Sequence, residues 1–279
     1  MTIVLRTMQA TDVTGGLMLS QQMGWPHRLE DWQCAFTLGE GMLAEEGGEL
    51  RGTTLCWRWG HHHATIGLVL VAKDQQGKGV GKKLFAAQLD TLADRHVRLH
   101  ATPAGEPLYR QFGFRPAGFI QQWHAVALPA VAAPGRVTSA ATASDIPDLV
   151  LLDSNAWGDA RENLIRWLVA HARVATIRDS QGCVIAWAGC RRFGRGYVIG
   201  PVVASHSEQA QALCAHFLTT LAGEFVRLDC PEGHHEPFTH WLGQNGFALV
   251  DRPLAMVKGE IARHSDEVRM FSLMSQAMG

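Results

Sequence analysis

The chain contains 279 residues, which exceeds the roughly 100 to 200 residues of one ordinary domain and therefore predicts two domains. Its 25 Lys and Arg nearly balance its 26 Asp and Glu, for a formal net charge of -1, which argues against a nucleic acid or an anionic membrane as the main partner. The amino terminus lacks the basic leader and long apolar run of a signal peptide, and no apolar stretch approaches the roughly 20 residues that span a bilayer. We therefore predict a cytoplasmic protein without a nucleic-acid or membrane partner.

The apolar pattern of the first half predicts strands and helices in mixed order. In chain order they are a strand at 3–6, helical segments across 11–39, strands at 41–46, 50–59 and 64–71, a helix at 79–94, a strand at 96–101, a short helix at 105–112 and a strand at 115–127. A central strand that leads through a glycine loop into a helix is typical of an α/β fold with a mixed (α+β) sheet.

Residues 127–136 interrupt an Ala/Val run with two prolines and a glycine, and they predict a linker near the middle of the chain. The two halves carry matching landmarks in the same order, at an offset of 130 to 134 residues. The pairs are Ala10–Val13 with Ala143–Ile146, Cys56–Gly60 with Cys190–Gly194, Ile66-Gly67 with Ile199-Gly200, and Glu106-Pro107 with Glu236-Pro237. We infer an internal repeat, with domains at 1–128 and 136–259 and a helical tail at 260–279.

The stretch QQGKGVGKK, between the strand at 64–71 and the next helix, is compared with three phosphate-binding patterns. The Walker A pattern fails because Gln76 occupies the position of its first glycine and Lys83 follows Lys82. The dinucleotide pattern G-x-G-x-x-G fails because Lys82 occupies the position of its last glycine. The pyrophosphate pattern Q/R-x-x-G-x-G/A fits at every specified position. Glycines leave room for an anion, and the start of a helix offers N–H donors and a positive dipole end.

This strand and loop, together with Leu108-Tyr109-x-x-x-Gly113-Phe114, resemble the acetyl-coenzyme A motif and the following signature of the GNAT superfamily of N-acetyltransferases. The segments ATPAGEPLYRQFGF and GWPHRLEDW are similar to a tandem subgroup in which a degenerate GNAT-like domain follows the first. The resemblance implies two tandem GNAT-like domains and acetyl-coenzyme A as co-substrate.

In that superfamily the loop binds the pyrophosphate, the preceding strand bonds the pantetheine arm, and the tyrosine of L-Y protonates the departing thiolate. Tyr109 matches this tyrosine, and the alternative for it is a packed aromatic with a satisfied hydroxyl. The coenzyme-binding positions that the resemblance implies are Val69, Leu70, Val71, Gln76, Gly77, Lys78, Gly79, Val80, Gly81, Lys82 and Thr102, and Thr102 stands where the family often has Asn.

The second copy lacks these parts. The repeat places Ala210, Ala212 and Cys214 where the first copy has its three glycines, and Thr239 where it has Tyr109. We expect the second copy to bind no acetyl-coenzyme A and to supply a wall of the acceptor site or to mimic a dimer partner. The whole protein is then expected to be a monomer or a weak homodimer.

Acetyl transfer to an amine needs a group that takes a proton, and the strand at 64–71 contains no carboxylate. The candidates for this base are His27, Asp31, His100 and Glu106. A structural role stays open for each of them, because a lone histidine in a core strand is more often structural.

Aromatic residues indicate where the acceptor binds. Trp57 and Trp59 alternate with Arg58 on a strand, so their rings face one side. In GNAT-like folds the segment that begins at Trp25 borders the acceptor cleft. These residues predict an aromatic-lined cleft for a small amine, and core packing stays open as the alternative.

The six cysteines (Cys34, Cys56, Cys183, Cys190, Cys214 and Cys230) form no C-x-x-C pair, and we interpret them as free, mostly buried thiols. Cys230, His234, His235 and His240 are potential zinc ligands, but their spacing matches neither C-x-x-C nor H-E-x-x-H. We interpret these histidines, and those at 61–63, as loop residues and predict no metal.

The sequence thus predicts an N-acetyltransferase that passes the acetyl group of acetyl-coenzyme A to a small-molecule primary amine by direct attack. A non-catalytic acyl-coenzyme A sensor or interaction module, and a protein-lysine acetyltransferase, stay open as alternatives.

Overall fold

The computed structural model describes residues 2–128, 131, 135–233, 236–261, 265 and 267–279. The first half contains β1 (Val4–Thr7), α1 (Val13–Gln22), α2 (Leu29–Leu38), β2 (Glu40–Glu46), β3 (Glu49–Trp59), β4 (His63–Val71), α3 (Val80–Asp90), β5 (His96–Ala101), α4 (Glu106–Gln111) and β6 (Arg115–Val126). The second half contains β7 (Ser139–Ala140), α5 (Ile146–Trp157), α6 (Glu162–His171), β8 (Arg173–Arg178), β9 (Val184–Phe193), β10 (Gly196–Ala204), α7 (Ser207–Thr220), β11 (Phe225–Pro231), α8 (Glu236–Gln244), β12 (Ala248–Asp251), β13 (Leu254–Lys258) and β14 (Arg269–Ser272).

The same order of elements occurs in both halves, which confirms the repeat, the mixed α/β class and the elements predicted for the first half. The predicted linker at 127–136 lies partly outside the described residues. No helix among the described residues is long and apolar enough to cross a membrane. All six cysteines lie within the described ranges as free thiols, and five of them are buried, as predicted.

Within the described ranges the strands form one mixed sheet that runs through both halves. Its order is β1-β2-β3-β4-β5-β13-β6-β11-β10-β9-β8-β7, with β12 paired to β6 and β14 paired to β10. Strand β13 of the second half therefore lies between β5 and β6 of the first. The other end of β6 pairs with β11, from Ile120 opposite Pro231 to Val126 opposite Phe225.

This strand exchange corrects the predicted division at 1–128 and 136–259. Those boundaries separate the two copies along the chain, but each copy gives a strand to the sheet of the other. Pairing between strands far apart in sequence leaves no local pattern from which it can be predicted. Neither half completes its sheet alone, so we expect the two to fold as one unit.

The predicted helical tail at 260–279 is wrong for its described residues. They contain the strand β14, which pairs antiparallel with β10, and then a buried segment, 273–279, that lies between the two halves. The apolar run around Met270 and Phe271 fits a strand as well as a helix, and here the free edge of β10 selects the strand.

Asp31, predicted as an acceptor-side residue or base, instead joins the two halves. Its carboxylate accepts hydrogen bonds from the backbone N–H of Arg28 at 2.9 Å, from the N–H of Gly194 at 2.9 Å and from Arg191 Nη1 at 3.3 Å. Asp31 also borders a cavity of about 340 Å³ between α2 and α6. Because its oxygens are already occupied by these donors, we assign it to the interface rather than to proton transfer.

The pKa of Asp31 reflects these contacts. Burial alone would raise it, but the hydrogen bonds from Arg28 and from the backbone N–H of Gly194 outweigh burial and hold the pKa below its usual value. The stabilisation is therefore complete above the unfolded pKa of about 4 and is lost as the pH falls through the lowered folded value.

We predict that Asp31→Ala lowers the free energy of unfolding by about 3 kcal/mol at pH 7, because it leaves the buried Arg191 without its carboxylate. Glu30→Ala is the matched control, since the Glu30 side chain is 68% exposed on the same turn. Urea unfolding of both variants measures the difference. Equal stabilities for the two variants would contradict the role assigned to Asp31.

Candidate active site

Strands β4 and β5 are parallel and pair only at their beginnings, from His63 opposite His96 to Thr65 opposite Arg98. Beyond Thr65 they separate, so the edge of β4 that faces β5 has no strand partner there. A bulge accompanies the separation, because the register of β4 with β3 shifts between Leu70 and Gly67. Leu68, within this shift, has a φ of 51°, which is uncommon for a residue with a side chain. The result is an opening in the sheet between the two strands.

The glycine loop lies at the end of β4. Gly77 and Gly79 have φ of 76° and 81°, and a Cβ built on either meets nothing within 4 Å. Glycine is therefore needed for the backbone conformation, and the space above the loop is open. Gly79 is the residue before α3, and no side chain caps this helix. Its first N–H groups have no acceptor within the helix, and the start of a helix is favourable for binding an anion.

Other predicted coenzyme residues also lie around this loop. The side-chain amide of Gln76 donates to the carbonyl of Val71 at 3.1 Å and so ties the loop to the end of β4. Lys82 donates to Gln111 at 3.2 Å, and Lys78 is exposed. Thr102 follows β5 and accepts a hydrogen bond from the N–H of Gly105 at 3.2 Å. Side-chain hydrogen bonds of Gln76 and Lys82 therefore connect the loop to β4 and α4.

Tyr109 lies on α4 and packs against Phe85 of α3, with ring centroids 4.9 Å apart. It is 8% exposed, and burial raises its pKa to about 12, so it is protonated at neutral pH. Its hydroxyl has no hydrogen-bond partner in the part of the chain that the structure describes. The alternative of a packed aromatic with a satisfied hydroxyl is therefore not what the structure shows.

The predicted aromatic cleft is not present at Trp57 and Trp59. Both rings lie in the core at 0% and 2% exposure, on the same face of β3 as predicted. Trp57 Nε1 donates to the carbonyl of Ala35 at 2.9 Å, and Trp59 Nε1 donates to Thr65 at 3.0 Å. The prediction of a cleft lining was wrong, because alternation identifies a shared face but does not show whether solvent or core covers it.

Trp25 and His27 lie beside the second half. The ring of His27 is 5.6 Å from those of Trp25 and Phe193, and its Nδ1 lies 3.1 Å from Ser20 Oγ. Burial lowers the pKa of His27 to about 4. This histidine is therefore a neutral part of the contact between the α1–α2 connection and β9 rather than an exposed acid or base.

The remaining candidate bases, Glu106 and His100, have different hydrogen-bond partners. Glu106 pairs with Arg110 at 2.7 Å on the surface of α4. His100 lies on β5, beyond the point of separation, and its Nδ1 lies 2.5 Å from the carbonyl of Gln276. No cluster of three potential metal ligands occurs among the described residues, and His234 and His235 lie outside them.

Among its described residues, the second half has no counterpart of the glycine loop. Only two residues, 205 and 206, connect β10 to α7, and the positions that the repeat aligned with the glycines are buried inside that helix (Ala210, Ala212, Cys214). Gln209 Oε1 accepts hydrogen bonds from the N–H groups of Ser205 and His206 at 2.9 and 3.2 Å. Two donors immediately before this helix are thus satisfied by the side chain of Gln209.

The opening between β10 and β11 is filled by β14. These strands also separate after a short parallel pairing, at Val198 opposite Arg227. The hydroxyl of Ser272 donates to the carbonyl of Ile199 at 2.8 Å and accepts from the N–H of Asp229 at 3.2 Å. The N–H of Leu273 donates to the carbonyl of Asp229 at 2.8 Å. Strand β14 therefore bonds both sides of the opening.

Sequence reasoning missed this segment, although one signal for it was present. The repeated Ile-Gly pair places a glycine where the segment 273–279 crosses each half. A Cβ on Gly200 would fall 1.9 Å from the carbonyl of Leu273, and one on Gly67 would fall 2.8 Å from Ala277 Cβ. A glycine repeated inside a strand indicates close approach of another backbone.

Two family profiles match the chain. Residues 12–114 match the family described as "Acetyltransferase (GNAT) family", and residues 149–272 match that described as "Acetyltransferase (GNAT) domain". Together they cover the glycine loop and the Leu108-Tyr109 segment of the first half and most of the second half.

Curated relatives and a solved structure agree with the match. The chain is 27% identical to the "Uncharacterized N-acetyltransferase YitH" of Bacillus subtilis (strain 168), over 96% of this chain and 95% of that protein. It is 27% identical to the "Holothin acyltransferase" of Pseudoalteromonas sp. (strain SANK 73390), over 71% of this chain and 67% of that protein. The fold is similar to that of a putative acetyltransferase from Pyrococcus horikoshii, with a TM-score of 0.84, 18% identity and coverage of 99% and 96% of the two chains. The chain belongs to the GNAT superfamily and is a tandem-domain N-acetyltransferase.

Proposed function

We propose that the protein transfers the acetyl group of acetyl-coenzyme A to the primary amine of a small molecule, and that the first half alone carries out this reaction. The observation that supports the proposal most is the difference between the two sheet openings. The opening beside β4 leads to a glycine loop and then to a helix without a side-chain cap. In the second half β14 pairs with β10 in the equivalent opening, and Gln209 bonds the backbone before the equivalent helix.

The first half suits the coenzyme in two ways. A pyrophosphate is an anion, and it fits the free N–H groups at the start of α3, where Lys78, Lys82 and Lys83 add positive charge. At Val69 to Val71 the edge of β4 that faces β5 pairs with no described strand, and the carbonyl of Val71 accepts from Gln76. The pantetheine arm carries amide groups that fit this edge as an added strand would. Strand β14 shows the same kind of pairing within the second half.

The reaction follows from this placement. The amine nitrogen attacks the thioester carbon, the C–S bond breaks, and the thiolate leaves toward α4. Tyr109, protonated at neutral pH, donates a hydrogen bond and then its proton to the sulfur. The same water-poor site also destabilises the coenzyme A thiolate. The pKa of the thiol therefore rises together with the pKa of Tyr109.

A small acceptor fits the site better than a protein lysine. The face of β4 and β5 away from α3 is covered by residues of the second half, since Trp157 of α5 lies over Arg98 and Ala277 lies against Gly67. An approach bordered in this way admits a small amine more readily than the side chain of a folded protein. The name of the relative "Holothin acyltransferase" agrees with a small-molecule acceptor.

We predict that Tyr109→Phe lowers kcat about 100-fold and leaves the Kd for acetyl-coenzyme A little changed, because only proton donation is removed. The chain has two tyrosines, and Tyr197→Phe in the second half is the matched control with an unchanged kcat. Thiol release measures the rate and calorimetry the Kd. A Tyr109→Phe enzyme with full kcat would contradict the assignment.

We predict that Gly79→Ala raises the Kd for acetyl-coenzyme A by about tenfold or more, which corresponds to about 1.4 kcal/mol of binding. The added Cβ enters the open space above the loop at a φ unfavourable for alanine. Gly182→Ala is the control, because Gly182 has a φ of +87° and equally open surroundings in a turn of the second half. If the two variants lose affinity equally, the loop is not the pyrophosphate site.

A further inference from the structure

A candidate base lies on the face of β5 that points away from α3. Along this strand Val97, Leu99 and Ala101 are buried in the same cluster as Tyr109. His100 alternates with them and therefore lies on the opposite face of the sheet. Continuing the register from Thr65 opposite Arg98 places His100 across from Gly67, in the part where β4 and β5 have separated.

The segment 273–279 spans this opening. Ala277 packs on Gly67 of β4, and the carbonyl of the preceding Gln276 lies 2.5 Å from His100 Nδ1 of β5. A carbonyl oxygen can only accept, so the proton of the imidazole is on Nδ1. Nε2 then carries the lone pair, and it has no hydrogen-bond partner among the residues that the structure describes. His63 Nε2, in contrast, is sealed from solvent without a partner.

The charges around His100 come from two strands. Arg98 lies on β5, and Asp229 lies on β11, where Arg227 Nε donates to it at 2.8 Å and Gln276 Nε2 at 2.9 Å. Burial lowers the pKa of His100, Arg98 lowers it further, and the bond to Gln276 and the charge of Asp229 raise it by less. The imidazole is therefore neutral at pH 7.

We propose that His100 is the general base of the acetyl transfer and that the carbonyl of Gln276 is the positioning group that fixes its tautomer. This assignment rests on the proposed function. His100 Nε2 takes one proton from the attacking nitrogen as the N–C bond forms, and Tyr109 gives one proton to the sulfur as the C–S bond breaks. The products are the N-acetylated amine and coenzyme A thiol, and the proton on His100 passes to solvent while the tyrosine regains its own.

The base and the acid thus lie on opposite faces of one opening, where the amine enters and the thiol leaves. The second half then also contributes to the reaction. Strand β14 anchors the chain between β10 and β11, and from there 273–279 reaches the first half at a fixed position. A half that binds no coenzyme therefore supplies the carbonyl that orients the base.

His100→Gln tests the proposal, because a glutamine amide can still donate to the carbonyl of Gln276 but is not a base. We expect kcat/KM for the amine to fall about 100-fold, with the Kd for acetyl-coenzyme A unchanged. In the wild type the rate should fall as the pH drops through a value below 6.5, where His100 gains a proton. In the variant this limb should be absent from the pH profile. Unchanged rates and pH dependence would overturn the proposal.

His96→Gln is the matched control, because His96 lies on the same face of β5 and accepts from the N–H of Glu260 at 3.0 Å. It should keep the wild-type rate and pH profile. Nitrogen NMR of the wild-type imidazoles gives a readout that does not depend on a variant or on turnover. His100 should be neutral at pH 7 with its proton on Nδ1, and a proton on Nε2 would overturn the assignment. If no amine is acetylated while this tautomer is found, the proposed function fails and the base role with it.

Discussion

The requirement that backbone N–H and C=O groups be paired explains most of what this structure does. Each half contains two parallel strands that separate after a few residues and leave an unpaired edge in the middle of the sheet. In the second half the chain pairs that edge itself, with β14. In the first half the edge is free and leads directly to an uncapped helix start. Two copies of one fold therefore differ in that one opening is filled by the chain and the other is not.

The two halves also depend on each other for their folds. Each gives a strand to the sheet of the other, and Asp31 adds hydrogen bonds from α2 to β9. Inside the second half Arg161 pairs with Asp153 at 2.8 Å and donates to the carbonyl of Gly279 at 2.7 Å, so a fully buried ion pair holds the end of the 273–279 segment. Unpaired buried charges are costly, so these contacts fix the orientation of one half against the other.

The sequence was informative where a function needs local spacing. The register of Gln76 and the following glycines excludes two other phosphate loops, and the structure shows the open space and the positive φ angles at Gly77 and Gly79 that such a loop needs. The repeat could also be predicted from the sequence, because its landmarks lie on equivalent elements of the two halves. Spacing of this kind is set by the backbone alone, so it can be read from one sequence.

The remaining features depend on contacts between distant parts of the chain. Trp57 lies in the core rather than in a cleft, Asp31 lies at the interface, and the tail is a strand, because in each case the covering partner comes from another element. Aligning the two halves by a constant offset also failed at the start of α7. The connection before α7 is shorter than the glycine loop, so the residues aligned with the glycines lie inside the helix. Local patterns show which face or which element a residue occupies, but not what packs against it.

The central claim is that one half binds the coenzyme and that the other is closed to it by its own strand β14. Titration of the full chain with acetyl-coenzyme A in a calorimeter measures the number of sites most directly. A stoichiometry of one coenzyme per chain is the result expected from an open edge at β4 and a filled edge at β10. A stoichiometry of two would show that β14 does not close the second opening and would contradict the account.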